Sequence, residues 1–182
     1  MAGKFFEESG FRVLDVDQLV KSRVLVDAEV LAEAMGHWGG GVFDAVGALD
    51  RTRVAGIVFG DREERRWWEG VVHPRVGRLW RAEMASATEA DWVVEIPLLF
   101  EAGLEKEFDF VVCVAANESS QLKRAVARGL SPAQAEKRIA SQLPLANKLK
   151  SAHVVLWNEG SRSFLGRQIR EFADRLRDAD SR

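Results

Sequence analysis

"DWVVEIPLLFEAGL", residues 91–104, holds the run on which the fold turns. Trp92 to Ile96 is apolar and rich in β-branched residues, the mark of a short buried strand, and a single carboxylate, Glu95, stands at its end. Three other stretches share that character: "FRVLDV" (11–16), "DFVVCVAA" (109–116) and "HVVLW" (153–157). Helical segments separate all four. Strands alternating with helices form a parallel sheet covered on both faces, so the expected class is α/β.

The segments between the strands carry their own punctuation. Ala2, Phe5, Phe6 and Ser9 fall at helical spacing and Gly10 supplies a stop, but no capping residue precedes them. The long stretch between the first two strands reads as helical throughout. Asp50 caps "RTRVAGIVF", and Asp61 with Glu64 three residues on forms an acidic variant of the capping box. Pro74 suits the first turn of a further helix through "RVGRLWRAEMASA". The charges from Arg62 to Arg66 read as a solvated face with ion pairs three or four residues apart. After the third strand, "ESSQLKRAVARG" ends at Gly129, and Ser131, Pro132 and Gln134 make a full capping box for the next helix. Two helices thus meet at a tight corner in an arginine-bearing hairpin. The polar tail "RLRDADSR" is expected to fray.

Bulk properties bound the function classes. The chain has 182 residues, 47% hydrophobic and 30% charged, with a formal net charge of -2. That is enough chain to bury a real core. The near-neutral balance argues against a dedicated nucleic-acid binder, so any anionic ligand must be met by locally clustered Arg and Lys. A single cysteine, Cys113, excludes an internal disulfide, fits a reducing compartment, and lies in an apolar run as a buried thiol. No signal peptide and no apolar run of membrane-spanning length is visible. The six tryptophans read as core or helix-packing residues.

Ligands of open parallel sheets bind beyond the carboxyl ends of the strands. That rule selects Asp15 and Asp17 after the first strand, Glu95 after the second and Asn158 after the last. A carboxylate at the first position could take a proton from an attacking hydroxyl, hold magnesium, or merely cap a turn or helix. Asp15 and Asp17 share one face only while the segment stays extended. Arg124 and Arg128 are four apart on one helix and Arg138 lies on the next. Stacked guanidinium groups suit a polyphosphate, but from spacing alone a solvated helix face is the commoner arrangement. His73 could bind a phosphate or simply sit near a helix end.

Taken together, six stretches resemble one family: "FRVLDVD" (11–17), "LDRTRVAGIVF" (49–59), "VVHPRV" (71–76), "VVEIPLLFEAGL" (93–104), "LSPAQAEKRIASQLPLANK" (130–148) and "VVLWNEGS" (154–161). In order and spacing they resemble the dephospho-coenzyme A kinases, from Ala2 to about Leu176. The resemblance implies a P-loop NTPase-like, three-layer parallel sheet in a single kinase-like unit over 1–182. Within it, a helical coenzyme A-binding insert would span 28–90 and a lid region 118–150. It implies transfer of the ATP γ-phosphate to the ribose 3′-hydroxyl of dephospho-coenzyme A, the last step of coenzyme A synthesis, in the cytoplasm. ATP, Mg2+ and dephospho-coenzyme A are the expected ligands, with neither nucleic acid nor membrane as partner. By the same resemblance Asp17 matches the catalytic carboxylate. Asp15, His73, Pro97, Leu98, Leu99 and Phe100 match the substrate side, Arg124, Arg138 and Asn158 the nucleotide side, and Glu95 a metal position where Asp is usual. His153 and Trp157 stand where acidic or polar residues are common.

One part of the family pattern is missing from these residues. Members begin with a strand and a GxxxxGK[ST] loop that runs into the first helix, and no such run occurs in residues 1–182; in "AGKF", Gly3-Lys4 is followed by Phe5. The expectation is a chain lacking the first, central strand, with Met1 an internal residue of a longer product. Unmet backbone groups at two vacant edges would each cost about 1–3 kcal/mol, and a dozen of them would exceed a domain's usual margin of about 5–15 kcal/mol. Residues 1–182 by themselves are expected to be inactive. The alternative is a non-catalytic relative that binds a coenzyme A-like ligand or a protein. A nucleoside monophosphate kinase fits less well, because "HPRV" and "IPLLFEAGL" speak against it.

Overall fold

A computed structural model describes residues 1–180. The chain begins with α1 (Ala2–Glu8), β1 (Arg12–Asp15), α2 (Val16–Leu19) and α3 (Ala28–Trp38). Then come α4 (Arg51–Gly60), α5 (Arg62–Ala85), β2 (Trp92–Glu95) and β3 (Val112–Ala115). It closes with α6 (Glu118–Ala127), α7 (Pro132–Ala140), α8 (Leu145–Ser151), β4 (Val154–Trp157) and α9 (Arg162–Asp180). All four strands fall inside the apolar runs singled out above. They form two parallel ladders, β1 with β2 and β3 with β4, each of two strands. The α/β class with parallel pairing is therefore the observed one. The chain divides into two compact units, one of residues 12–95 and one of residues 1–11 with the chain from Ile96 onward.

In the first unit, β1 and β2 run in register from Arg12 opposite Trp92 to Asp15 opposite Glu95. Asp27, Asp50 and Asp61 each accept two backbone N–H bonds at the starts of α3, α4 and α5, so every cap is a short carboxylate just before the first turn. Val30 and Ala34 of α3, Val54 of α4, and Val71, Val72, Val76 and Trp80 of α5 are buried. That apolar stripe explains a correction. Pro74 was expected to open a new helix, but α5 passes through it without a break. Proline removes one backbone rung, to the carbonyl of residue 70. The buried side chains lie on both sides of it and hold the two halves in line. Arg75 assists: its Nη1 donates to the Val71 carbonyl at 2.8 Å, and its Nη2 meets Glu33 at 2.7 Å and Glu29 at 3.3 Å on α3.

The charge run of α5 behaves in part as expected, with Arg65 and Glu69 paired at 2.8 Å. Glu64 does something else. It accepts from the Trp38 indole at 2.6 Å and faces His37 Nε2 at 2.9 Å. Those bonds, Trp38's first, hold its carboxyl below the usual glutamate range. His37 stacks on Trp67 with ring centroids 3.7 Å apart, and Trp68 packs beside Trp38. Three of the six tryptophans thus fasten the end of α3 to the start of α5, a packing role.

In the second unit, β3 and β4 pair from Val112 opposite Val154 to Ala115 opposite Trp157. His153 completes the start of this ladder: its backbone donates to Val111, and its ring Nδ1 accepts from the Val111 N–H at 2.9 Å. Cys113 is buried in β3, and burial pushes its thiol pKa up. Helix α1 has no side-chain cap, as its sequence indicates, and stops at Gly10, whose φ of +89° suits glycine. Packing holds it instead. Phe5 and Phe6 are buried, as are Leu165, Ile169 and Ala173 of α9. Gly166 allows the approach, since a Cβ there would come within 2.8 Å of the Phe5 ring. The tail was expected to fray, yet α9 stays helical to Asp180; Leu165, Ile169, Phe172, Ala173 and Leu176 continue one apolar stripe along it. Residues 181 and 182 of that tail lie outside the described residues. The outer edge of β4 is closed by Gln168, which accepts from Trp157 N at 3.0 Å and donates to Trp157 O at 2.8 Å. A side-chain amide there takes the place of a neighbouring strand.

Candidate functional site

Each unit carries one group of candidate residues. In the first, the parallel register sets Asp15 and Glu95 beside each other at the carboxyl ends of β1 and β2. The backbone turns helical at Val16, so Asp15 and Asp17 do not share an extended face. Asp15 takes the capping role: its Oδ1 accepts from Gln18 N at 3.0 Å. Asp17 lies one residue inside α2, exposed, and its carboxylate has no hydrogen bond or ion pair among the described residues. Val16 and Leu19 are buried on either side and anchor the turn that presents it. His73 is exposed in the middle of α5, not at a helix end. No cluster of three or more His, Cys, Asp or Glu side chains suited to a metal occurs among the described residues.

In the second unit, the turn after Ile96 presents Pro97 and Leu98 to solvent and half-buries Leu99 and Phe100. Backbone bonds from Ala102 to Leu98, Gly103 to Phe100 and Leu104 to Leu99 close it. Glu101 then ties it to the start of α8, accepting from Leu143 N and Lys148 Nζ, each at 2.8 Å. Burial alone would raise the Glu101 carboxyl, but these partners outweigh it and hold it below the usual range. Sequence gave no hint of this tie, because Lys148 stands far along the chain.

The arginine hairpin is present. Helices α6 and α7 meet at Gly129, whose φ is +99°, and Ser131 and Gln134 complete both halves of the capping box. Beside the hairpin lies a cleft of about 660 Å³. Arg124, Arg128, Arg138, Asn158 and Arg162 line it, and among the described residues no acidic one does. In a chain of net charge -2, four guanidinium groups around one cleft form a local anion trap. Arg124 is braced, with Nη2 donating to the Asn158 carbonyl at 2.6 Å, while the Arg138 guanidinium has no partner among the described residues. Asn158 is held by its backbone, N–H to Ala115 O at 2.8 Å, which leaves its amide side chain for a ligand. The structure therefore unites Arg124, Arg138 and Asn158 and adds Arg162, which periodicity does not reveal because it follows a loop at the head of α9.

Carboxylates stand at parallel strand ends in the first unit, and arginines line a cleft in the second. The dephospho-CoA kinase family profile matches residues 1–163. A curated dephospho-CoA kinase of Thermosynechococcus vestitus is 38% identical over 93% of this chain and 84% of its own length. A Thermus thermophilus protein of known crystal structure is 35% identical, covers 96% of this chain and 92% of its own, and superposes with a TM-score of 0.79. The fold alone is shared with dephospho-CoA kinase from Campylobacter jejuni, at 23% identity and TM-score 0.71 over 98% of this chain and 92% of that one. The fold is thus a P-loop NTPase-like α/β fold, and the class is a kinase. The chain belongs to the dephospho-CoA kinase family.

Proposed function

We propose that the chain serves the last step of coenzyme A synthesis in the cytoplasm, transfer of the ATP γ-phosphate to the ribose 3′-hydroxyl of dephospho-coenzyme A. The observation that carries this is the cleft lined by Arg124, Arg138 and Asn158 in a member of this kinase family. Arg124 and Arg138 bind phosphate oxygens in two-pronged contacts and offset the charge that builds during transfer, and Asn158 hydrogen-bonds the base. Asp17, exposed and unpaired among the described residues, takes the proton from the 3′-hydroxyl as that oxygen attacks in line. His73, Asp15 and the Pro97–Phe100 turn contact the acceptor. Magnesium is usually held by one or two carboxylates with substrate phosphates and water, and the adjacent Asp15 and Glu95 fit that donor set. When bound, the ion would draw charge from the phosphates.

Residues 1–182 hold no GxxxxGK[ST] run, so within them no glycine-rich backbone cradle meets the β- and γ-phosphates. These residues alone are expected to bind phosphate without transferring it. A second reading is a relative that binds a coenzyme A-like ligand or a protein and does no chemistry. The test is transfer of labelled γ-phosphate to dephospho-coenzyme A, run with residues 1–182 and with the same residues preceded in frame by a strand and a GxxxxGK[ST] loop. Label at the 3′-position with the second protein and none with the first is the expected result. No transfer by either would favour the second reading, and turnover by the first would overturn the role given to a GxxxxGK[ST] loop.

A further inference from the structure

The loop after β4 is fastened to α6 at two levels. At the head of the helix, the Glu159 carboxylate accepts from the Asn117 backbone N–H, from Asn117 Nδ2 at 2.8 Å and from Ser120 Oγ at 2.8 Å. Asn117 in turn caps the helix, its Oδ1 accepting from Ser120 N at 2.8 Å. Farther along the same helix, Arg124 reaches the carbonyl of Asn158, the residue just before Glu159, at 2.6 Å. Asn158, Gly160, Arg124 and Arg162 all line the arginine cleft, whereas Glu159 does not. The carboxyl of Glu159 is held below its usual range, first by the Asn117 N–H, then by Ser120, with Arg124 adding attraction. It is therefore a charged acceptor with its partners already in place.

We infer that Glu159 is a positioning residue for the anion cleft: by clamping the loop after β4 to the start of α6, it fixes Asn158 and the Arg124 bond to it, and so sets the affinity of the cleft for a polyphosphate. The inference rests on the cleft's being the phosphate site proposed above. It predicts an effect opposite in sign to simple electrostatics. Glu159 is a negative charge close to an anion site, so its removal, if charge alone mattered, would tighten anion binding. If its role is to hold geometry, removal weakens binding.

The test is titration calorimetry of inorganic tripolyphosphate into the unaltered chain and into variants, with circular dichroism to check the fold. Glu159→Ala is expected to bind about tenfold more weakly, as for a lost hydrogen-bonded charge contact. Glu159→Gln keeps one oxygen for the Asn117 N–H and is expected to fall between the two. Ser120→Ala removes one of the three contacts with no change of charge and is expected to weaken binding modestly. Should Glu159→Ala not fold, the latter two carry the test. Unchanged or tighter binding in the folded variants overturns the inference while leaving the cleft assignment standing. Absence of tripolyphosphate binding by the unaltered chain overturns both.

Discussion

Glu101→Gln is the sharpest probe of how the loop bearing Pro97 to Phe100 is held. Although the Glu101 backbone lies at the surface, its side chain is 21% exposed and that of Lys148 only 14%, so the pair at 2.8 Å is screened little by solvent. Gln keeps the shape and an acceptor for Leu143 N, but it loses the charge that faces Lys148. Lys148 retains Gln142 Oε1 at 3.0 Å, so the ammonium is not stranded. The cost is then that of one charged hydrogen bond in partial compensation, about 1–2 kcal/mol. For a domain of this length that is a fall in Tm of about 2–8 °C. The sign with pH follows from the depressed folded pKa of Glu101. The pair's stabilisation is full above the ordinary carboxyl pKa and is lost as pH falls through the lower folded value. Thermal melts followed by circular dichroism should show the deficit of the variant at pH 7 and its progressive loss as the pH is lowered into the acid range. No deficit at pH 7, or an equal one in acid, would refute the tie between this loop and α8.

Other expectations follow from single contacts. Asp17→Asn, made in the chain that carries the added strand and loop, should abolish phosphoryl transfer while ATP still binds by calorimetry; near-normal turnover would remove Asp17 from the chemistry. Gln168→Ala should uncover the backbone of Trp157 on β4 and produce concentration-dependent self-association by light scattering, absent from the unaltered chain. Cys113, buried and with its thiol pKa raised, should react with a thiol-specific reagent only under denaturing conditions, and fast labelling of the folded chain would contradict its placement.

Local chemistry is what made most elements legible. The four strands are contiguous β-branched runs, and the caps at Asp50, Asp61 and Ser131 are short-range devices whose partners lie two or three residues away. Such signals need no tertiary knowledge. The continuity of α5 through Pro74 was hidden because it depends on packing along both halves of the helix, which outweighs a single lost rung. The persistence of α9 to Asp180 was hidden in the same way, since its apolar stripe only has meaning against a partner surface. At the candidate site, Arg124, Arg138 and Asn158 could be found because motif and helix spacing mark them. The bonds of Glu101 to Lys148, Glu159 to Asn117 and His153 to Val111 join residues distant in sequence, and no periodicity encodes a polar pair across such a gap. Asp15 shows the converse: a carboxylate at a strand end suits several uses by its position alone, and only the structure shows that its Oδ1 caps α2.

The central claim is that the arginine cleft by the α6–α7 hairpin receives the phosphates of ATP. Calorimetric titration of ATP into the unaltered chain and into Arg124→Ala/Arg138→Ala tests it directly. Saturable binding that weakens with added salt and falls by more than about tenfold in the double variant is the predicted result. Binding of equal strength in both proteins would contradict it.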